Sequence, residues 1–573
     1  MSSWKNIVTG DVIPTAINGY CDQPSIVVAK DGSWVGTVTT AKGTEGCTDQ
    51  HVKIIKSCDR GKSWTKPVRL EPEEEGRYWE SSYSKLLVAP DGRIFCFYCY
   101  NAEHIDIRGG PVYRYDMGGI FCFRFSDDHG KTWSARIKIP VRDFAIDHWK
   151  PLVHQGQELR LFWNVAKPFI WQGKIYVSLT KISNLDGFMA HTEGVLLCSS
   201  TALKDPFHAI WETLPDGDTG IRGVVGGGTV AEEHSMVCLS DGTIYSTFRT
   251  IDGYAGMAIS RDGGHHFAKS QWITDTYGRA MKNSRAANFL WQIASGKYLY
   301  WYQNCSYRGY YTRNPAWVCA AIEKGSEDGM KLIWSQPEIL LYHESSSVGF
   351  SYPDLIIDQG RYFVTETNKI TARVHEIPAS FIDRLFCQFD IAQVEQSGLI
   401  VQTQAHSFQL AQMKPLIKQD VHAGNDAQIT TGNGYTFDLW LNGQQSGPLL
   451  DLAGHEDRRI RIDAGRDGSV HLLVYDLREC SHVISRTKLL NGQKQHLCIV
   501  LDGASRVTSF IVDGCLDDGG SDRMFGWGLI SRSVTGLTGQ CEGLLGSAVT
   551  QFRFYERALA TTECIGNYRA ELG

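Results

Sequence analysis

The sequence predicts an all-β chain: a six-bladed β-propeller followed by a β-sandwich of jelly-roll type. Three observations carry this. One turn is written three times: Ser57-Cys-Asp-Arg-Gly-Lys-Ser-Trp64, Ser126-Asp-Asp-His-Gly-Lys-Thr-Trp133 and the degraded Ser260-Arg-Asp-Gly-Gly-His-His-Phe267. The copies start 69 and 134 residues apart, so they sit on one lattice of about 67 with one position skipped. That is the signature of a repeated supersecondary unit. Near residue 390 the lattice stops and a new set of alternating strands begins.

Each copy reads as a hairpin turn, since a short apolar run enters it, Asp and Gly supply the turn chemistry, and an aromatic follows that can pack beneath. The skipped position falls near 193, before Gly194-Val-Leu-Leu-Cys-Ser-Ser200, and a further eroded one falls near Ser326. About six periods fit into the first 392 residues, which matches four-stranded blades closed into a ring around a funnel. The second domain, 393–573, is read from Tyr435-Thr-Phe-Asp-Leu-Trp-Leu441, Ser469-Val-His-Leu-Leu-Val-Tyr475, Gln495 to Asp502, Phe510 to Gly514 and Gln551 to Leu559. Its aromatic opening strand, late Asp-Gly turn and closing Phe-Tyr-Glu-Arg-Ala-Leu resemble laminin-G and concanavalin-like jelly rolls. Such modules bind glycans or brace a catalytic neighbour, and both roles stay open.

The balance of 42% hydrophobic and 21% charged residues with net charge −6 points away from nucleic acid and membrane surfaces. No apolar run of about 18 residues predicts membrane insertion. Met1-Ser-Ser-Trp-Lys-Asn lacks the apolar core of a secretory signal, so a cytoplasmic protein is expected, or a secreted one whose signal has been removed. Sixteen cysteines show no metal-ligand rhythm, and Cys96 and Cys99 read as buried thiols in an aromatic strand. Neither a metal nor a cofactor is expected, and oligomeric state is not readable.

Chemistry is expected where loops of successive blades meet over the funnel. Gly43 to His51 offers Asp49, Glu45 and His51 for proton transfer. Ala231 to Arg249 is a hairpin whose length returns its ends to one side, so Glu233 and Arg249 can both face the funnel. Tyr307-Arg-Gly-Tyr-Tyr-Thr-Arg-Asn-Pro315 is basic and aromatic, and Gly349-Phe-Ser-Tyr-Pro-Asp-Leu355 is followed by Tyr362-Phe-Val-Thr-Glu366.

The repeated turns resemble the Asp-boxes of the sialidase superfamily, and the polar segments occur in that superfamily's order. The resemblance covers about two-thirds of the chain. It implies Asp49 as acid/base, Tyr352 as nucleophile, Glu233 as the base that activates it, Arg249 and Arg313 (with Arg308 an alternative) as sugar clamps, and Glu366 as a carboxylate that steadies an arginine. A phenol can attack an anomeric carbon without the repulsion a carboxylate meets at an anionic sugar. One departure stands out: the family's first clamp arginine is replaced in Tyr20-Cys-Asp-Gln-Pro24 by Asp22. An anion there argues against ordinary sialic acid and suits sugar hydroxyls reached by Asp22 and Gln23. Glu366, without its usual partner, is expected to meet a lysine or water.

The leading function is an exo-acting glycoside hydrolase that releases a terminal sugar from a glycan or oligosaccharide. The alternatives are a polysaccharide lyase on uronate-containing glycans, recognisable by an ultraviolet-absorbing product, and a non-catalytic glycan-binding protein. A tyrosine mechanism predicts retained anomeric configuration.

Overall fold

In the computed structural model the structure describes residues 10–15, 19–74, 76–101, 107–109, 112–309, 312–343, 345, 347–423, 427–432, 434–443, 446–477, 479–531 and 534–572. The N-terminal Met1 to Asn6 and the aromatic pair Tyr310 and Tyr311 lie outside them. Among the described residues, six antiparallel sheets of four or five strands follow one another. Their first strands begin at Tyr20, Glu80, Leu161, Glu232, Phe289 and Leu355. The strand Asp11–Val12 pairs with Ala372–Ile377 of the last sheet, so the two ends of the propeller close one ring.

The repeated turns sit where a third strand ends, after Ser57, Ser126 and Ser260. All three are built by the same bonds. The Ser hydroxyl accepts the N–H of Gly61, Gly130 or Gly264 at 2.8–2.9 Å, and the Asp carboxylate accepts the N–H of Ser63, Thr132 or His266 at 2.8–2.9 Å. This is local side-chain-to-backbone chemistry, which explains why the turn is legible from so few letters. Of the three unmarked blades, the third and fifth also end their third strands at a serine, Ser199 and Ser326, and the sixth ends its own at Ile377. Trp64 packs against Trp34 beneath the first turn, with ring centroids 6.5 Å apart.

The sandwich is made of a seven-stranded and a six-stranded sheet that bury Tyr435, Phe437, Leu472, Ile499 and Phe554 between them. Its outer face does not stand apart from the propeller. Trp317, Trp334 and Tyr300 of the fifth blade share one apolar cluster with Val500, Ile511, Tyr555 and Cys564 of the sandwich. Polar clasps reinforce it: the Lys282 ammonium donates to the carbonyls of Asp518, Gly520 and Arg523 at 2.6–2.7 Å, and Arg279 donates to that of Leu516 at 2.9 Å. The sixteen cysteines are free.

One backbone device positions the site. The first strands of the first, second and fourth blades each carry a bulge, between Asp22 and Ser25, Ser82 and Lys85, and Glu232 and Ser235. Within each, one residue takes a left-handed φ: Gln23 at 52°, Tyr83 at 58° and Glu233 at 57°. Tyr352 does the same at 45° just before the sixth blade's first strand. A bulge adds a residue and re-aims the side chains around it. Non-glycine residues in this region cost energy and persist where the surroundings hold them.

Candidate active site in the propeller cavity

The bulges open onto a cavity of about 350 Å³ lined by Glu45, Tyr83, Arg114, Trp163, Met189, Glu233, Arg249, Thr312, Arg313, Ser347, Gly349, Ser351, Tyr352, Asn368 and Lys369. Tyr352 and Glu233, 119 residues apart, meet here, and the phenol donates to Glu233 Oε1 at 2.8 Å. Arg249 Nη1 lies 2.7 Å from Glu233 Oε2, and its Nε donates to Glu232 at 2.6 Å. The strand pairing of Glu232 with Arg249 delivers this arrangement, as the hairpin length predicts. Arg285 holds the other Glu232 oxygen at 2.8 Å. Burial pushes the Glu233 carboxyl above its ordinary range, Arg249 opposing and Glu232 adding to the rise. Tyr352 is likewise raised by burial and by the Glu233 charge, against the pull of Lys369, Arg249 and Arg313.

Arg313 lines the same wall, donating to the Ser351 hydroxyl at 2.6 Å, with its guanidinium 5.9 Å from the Tyr352 ring centre. Among the described residues it has no carboxylate within ion-pair distance, unlike the other three cations of the wall. Arg308, the alternative clamp, is exposed and off the wall.

The opposite wall differs from the sequence reading. Asp49 does not line the cavity: its carboxylate accepts the Lys42 N–H at 2.8 Å and the Cys47 thiol at 2.9 Å, which ties it into its own loop. Glu45, four residues earlier, lines the cavity instead, between Lys369 at 3.2 Å and Arg114 at 3.4 Å. Burial works against its charge, but Lys369 and Arg114 outweigh it and hold the carboxyl at about 2. His51 is also off the wall. It packs edge-on to Tyr78, and burial with Arg69 and Lys53 nearby lowers its ring to about 4.

Asp22 is fully buried behind the wall, where it accepts the Tyr20 hydroxyl at 2.7 Å and the Gln23 N–H at 2.9 Å and pairs with Lys369. Gln23 is buried beside it and, like Asp22, does not line the cavity. Glu366 meets neither a lysine nor open water. It is buried against Arg373 at 3.2 Å and His375 at 3.3 Å, on a neighbouring strand that the sequence does not mark as its partner.

Among the wall residues that escape the sequence reading are Tyr83, Arg114 and Lys369. Tyr83 donates to Asp116 at 2.6 Å, and Arg114 spans Asp116, Tyr83 and Glu45. Tyr83 had a signal, since Ser82-Tyr83-Ser84-Lys85-Leu86 and Glu232-Glu233-His234-Ser235-Met236 both enter an apolar strand through a polar bulge. Outside the propeller, Asp438, His496 and Cys498 have metal-ligand spacing, but Asp438 already accepts from Arg553 at 3.1 Å and Asn567 at 2.7 Å and serves as a buried staple.

Fold and cavity together define a β-propeller of Asp-Gly turns with a polar central cavity, joined to a β-sandwich. The chain belongs to the family of BNR repeat-like domains, whose model matches residues 38–364. Solved structures similar to it include a Dyadobacter fermentans protein of unknown function, 18% identical over 65% of this chain and 98% of that one, TM-score 0.46. Trypanosoma rangeli sialidase with difluorosialic acid is 12% identical over 100% and 98%, TM-score 0.45. A Hadza microbial sialidase is 15% identical over 63% and 66%, TM-score 0.44. At these scores the backbones do not superpose closely enough to carry a residue across. No curated protein matches the chain.

Proposed function

We propose that the protein is an exo-acting glycoside hydrolase that releases a terminal sugar, with Tyr352 as nucleophile. The observation that carries this reading is the 2.8 Å hydrogen bond from the Tyr352 hydroxyl to Glu233, inside a polar cavity of about 350 Å³. A tyrosine that attacks carbon must lose its proton as it does so, and a buried carboxylate with a raised pKa is a competent acceptor. The phenol oxygen bonds to the anomeric carbon, the proton passes to Glu233, and the bond to the leaving oxygen breaks with protonation from the far wall. We assign that proton to Glu45 rather than Asp49, because Glu45 faces the cavity; the reactive form is the minor one in which the single proton that rests on Glu233 stands on Glu45 instead. In the second half Glu45 takes a proton from water, which displaces Tyr352, and Glu233 returns its proton to the phenol. Double displacement retains configuration.

Asp22 bears on specificity only through Lys369, the wall cation it pairs with from behind. Arg313, without a carboxylate partner among the described residues, supplies positive charge for an acidic or hydroxyl-rich substituent.

A panel of aryl glycosides and natural oligosaccharides, read for released sugar and for ultraviolet absorbance, tests the reading. Release that is lost in Tyr352→Phe supports it. Growth of absorbance without hydrolysis assigns the cavity to a lyase, and binding without turnover assigns it to recognition.

A further inference from the structure

The wall residue with the least expected position is Lys369. It lies in the turn between Arg361–Thr367 and Ala372–Ile377, at φ 75°, where a lysine pays a backbone cost. The turn is pinned at both ends of the residue. Its N–H donates to the Thr367 hydroxyl at 2.9 Å, and its carbonyl accepts the Cys21 N–H of the first blade at 3.0 Å. The side chain then runs inward, its ammonium pairing with Asp22 and with Glu45 at 3.2 Å. That places the ammonium nitrogen 4.3 Å from the centre of the Tyr352 ring.

Neither partner requires this. Asp22 could have been a neutral residue, and Glu45 already has Arg114. The two carboxylates, one from the first strand of the first blade and one from its loop, act as fixed anchors that stop the ammonium from swinging into water. A cation over an aromatic face is attracted by the ring even when the ring is neutral, and far more when the oxygen carries charge. The groups that face Tyr352 are Glu233, which opposes ionisation, and Arg249, Arg313 and Lys369, which favour it. Arg249 is engaged by two carboxylates, and Arg313 stands farther from the ring than Lys369.

We propose that Lys369 is a positioning residue for Tyr352: held by Asp22 and Glu45 over the ring, its ammonium stabilises the charge that the phenol acquires when it gives its proton to Glu233. The inference deepens the glycosidase reading and rests on it. It also gives Asp22 a role, since the anion that replaces a clamp arginine is the anchor for the cation.

The test needs no substrate. Difluorotyrosine, whose phenol ionises near neutrality, is placed at position 352 of the full chain and its fluorine resonance is followed with pH, in the parent and in Lys369→Met and Lys369→Arg. The midpoint is expected to rise by about one pH unit or more in Lys369→Met, about a tenfold loss of phenolate at fixed pH, and to return most of the way in Lys369→Arg. A midpoint unmoved in Lys369→Met, or no ionisation in the parent across its folded range, overturns the proposal. Turnover by Tyr352→Phe decides the glycosidase reading separately, so the two can fail independently.

Discussion

Replacing Lys85 by Met should stabilise the protein at neutral pH. Lys85 lies on the first strand of the second blade, 1% exposed, and among the described residues its ammonium has no hydrogen-bond partner. The carboxylates whose charge it feels, Asp354, Asp22 and Glu233, already have cations of their own in Lys167, Lys369 and Arg249. Burial therefore dominates and pulls the lysine from its ordinary 10.5 down to about 8. That gap corresponds to about 3 kcal/mol, charged against the folded state. Below about pH 8 both folded and unfolded chains carry the proton and the whole cost is present. Between about 8 and 10.5 the unfolded chain holds more protons, so stability rises with pH. Urea unfolding of the parent and Lys85→Met should show the variant ahead by up to about 3 kcal/mol at neutral pH, with the lead shrinking toward pH 10.5. A variant less stable at neutral pH, with no pH trend in the difference, would refute the reasoning and mean that the surrounding anions need this cation.

Glu45→Gln should lower kcat/KM by about 10²- to 10⁴-fold, whereas Asp49→Asn should stay within about tenfold, because only Glu45 faces the cavity; steady-state kinetics on the best substrate of the panel decides. The reaction needs one proton shared between Glu45 and Glu233. The pH profile should therefore have an acid arm set by Glu45, at about 2, and an alkaline arm above the ordinary carboxylate range, set by the raised Glu233. An alkaline arm at an ordinary carboxylate value would count against Glu233 as the base. Lys282→Met leaves three carbonyls at the junction of propeller and sandwich without their shared donor, and should cost about 2–4 kcal/mol in urea unfolding while the cavity chemistry persists.

The repeated turns were readable because their bonds are local: Ser and Asp satisfy backbone groups four residues away, so the letters alone reveal the geometry. Glu233 and Arg249 were reachable for a similar reason, since the two ends of one hairpin bring them together, whereas Arg313 and Tyr352 were reached only through the resemblance of their segments to a known family. Glu45 and Asp49 could not be told apart, because both are carboxylates of one polar loop and the choice rests on which one Lys42 and Cys47 capture. Lys369 carried no signal at all. Its place depends on a left-handed turn and on Cys21 and Asp22, nearly 350 residues away in sequence. Bulges add a further difficulty, since the extra residue at Gln23, Tyr83 and Glu233 breaks the period-two alternation by which inward residues are read from a strand.

The most direct test of the central claim is to quench the protein during turnover of its best substrate and map the attached sugar by peptide mass spectrometry. The account predicts a glycosyl group on Tyr352 and a product of retained configuration. A sugar on a carboxylate, or an inverted product with no adduct, would contradict it.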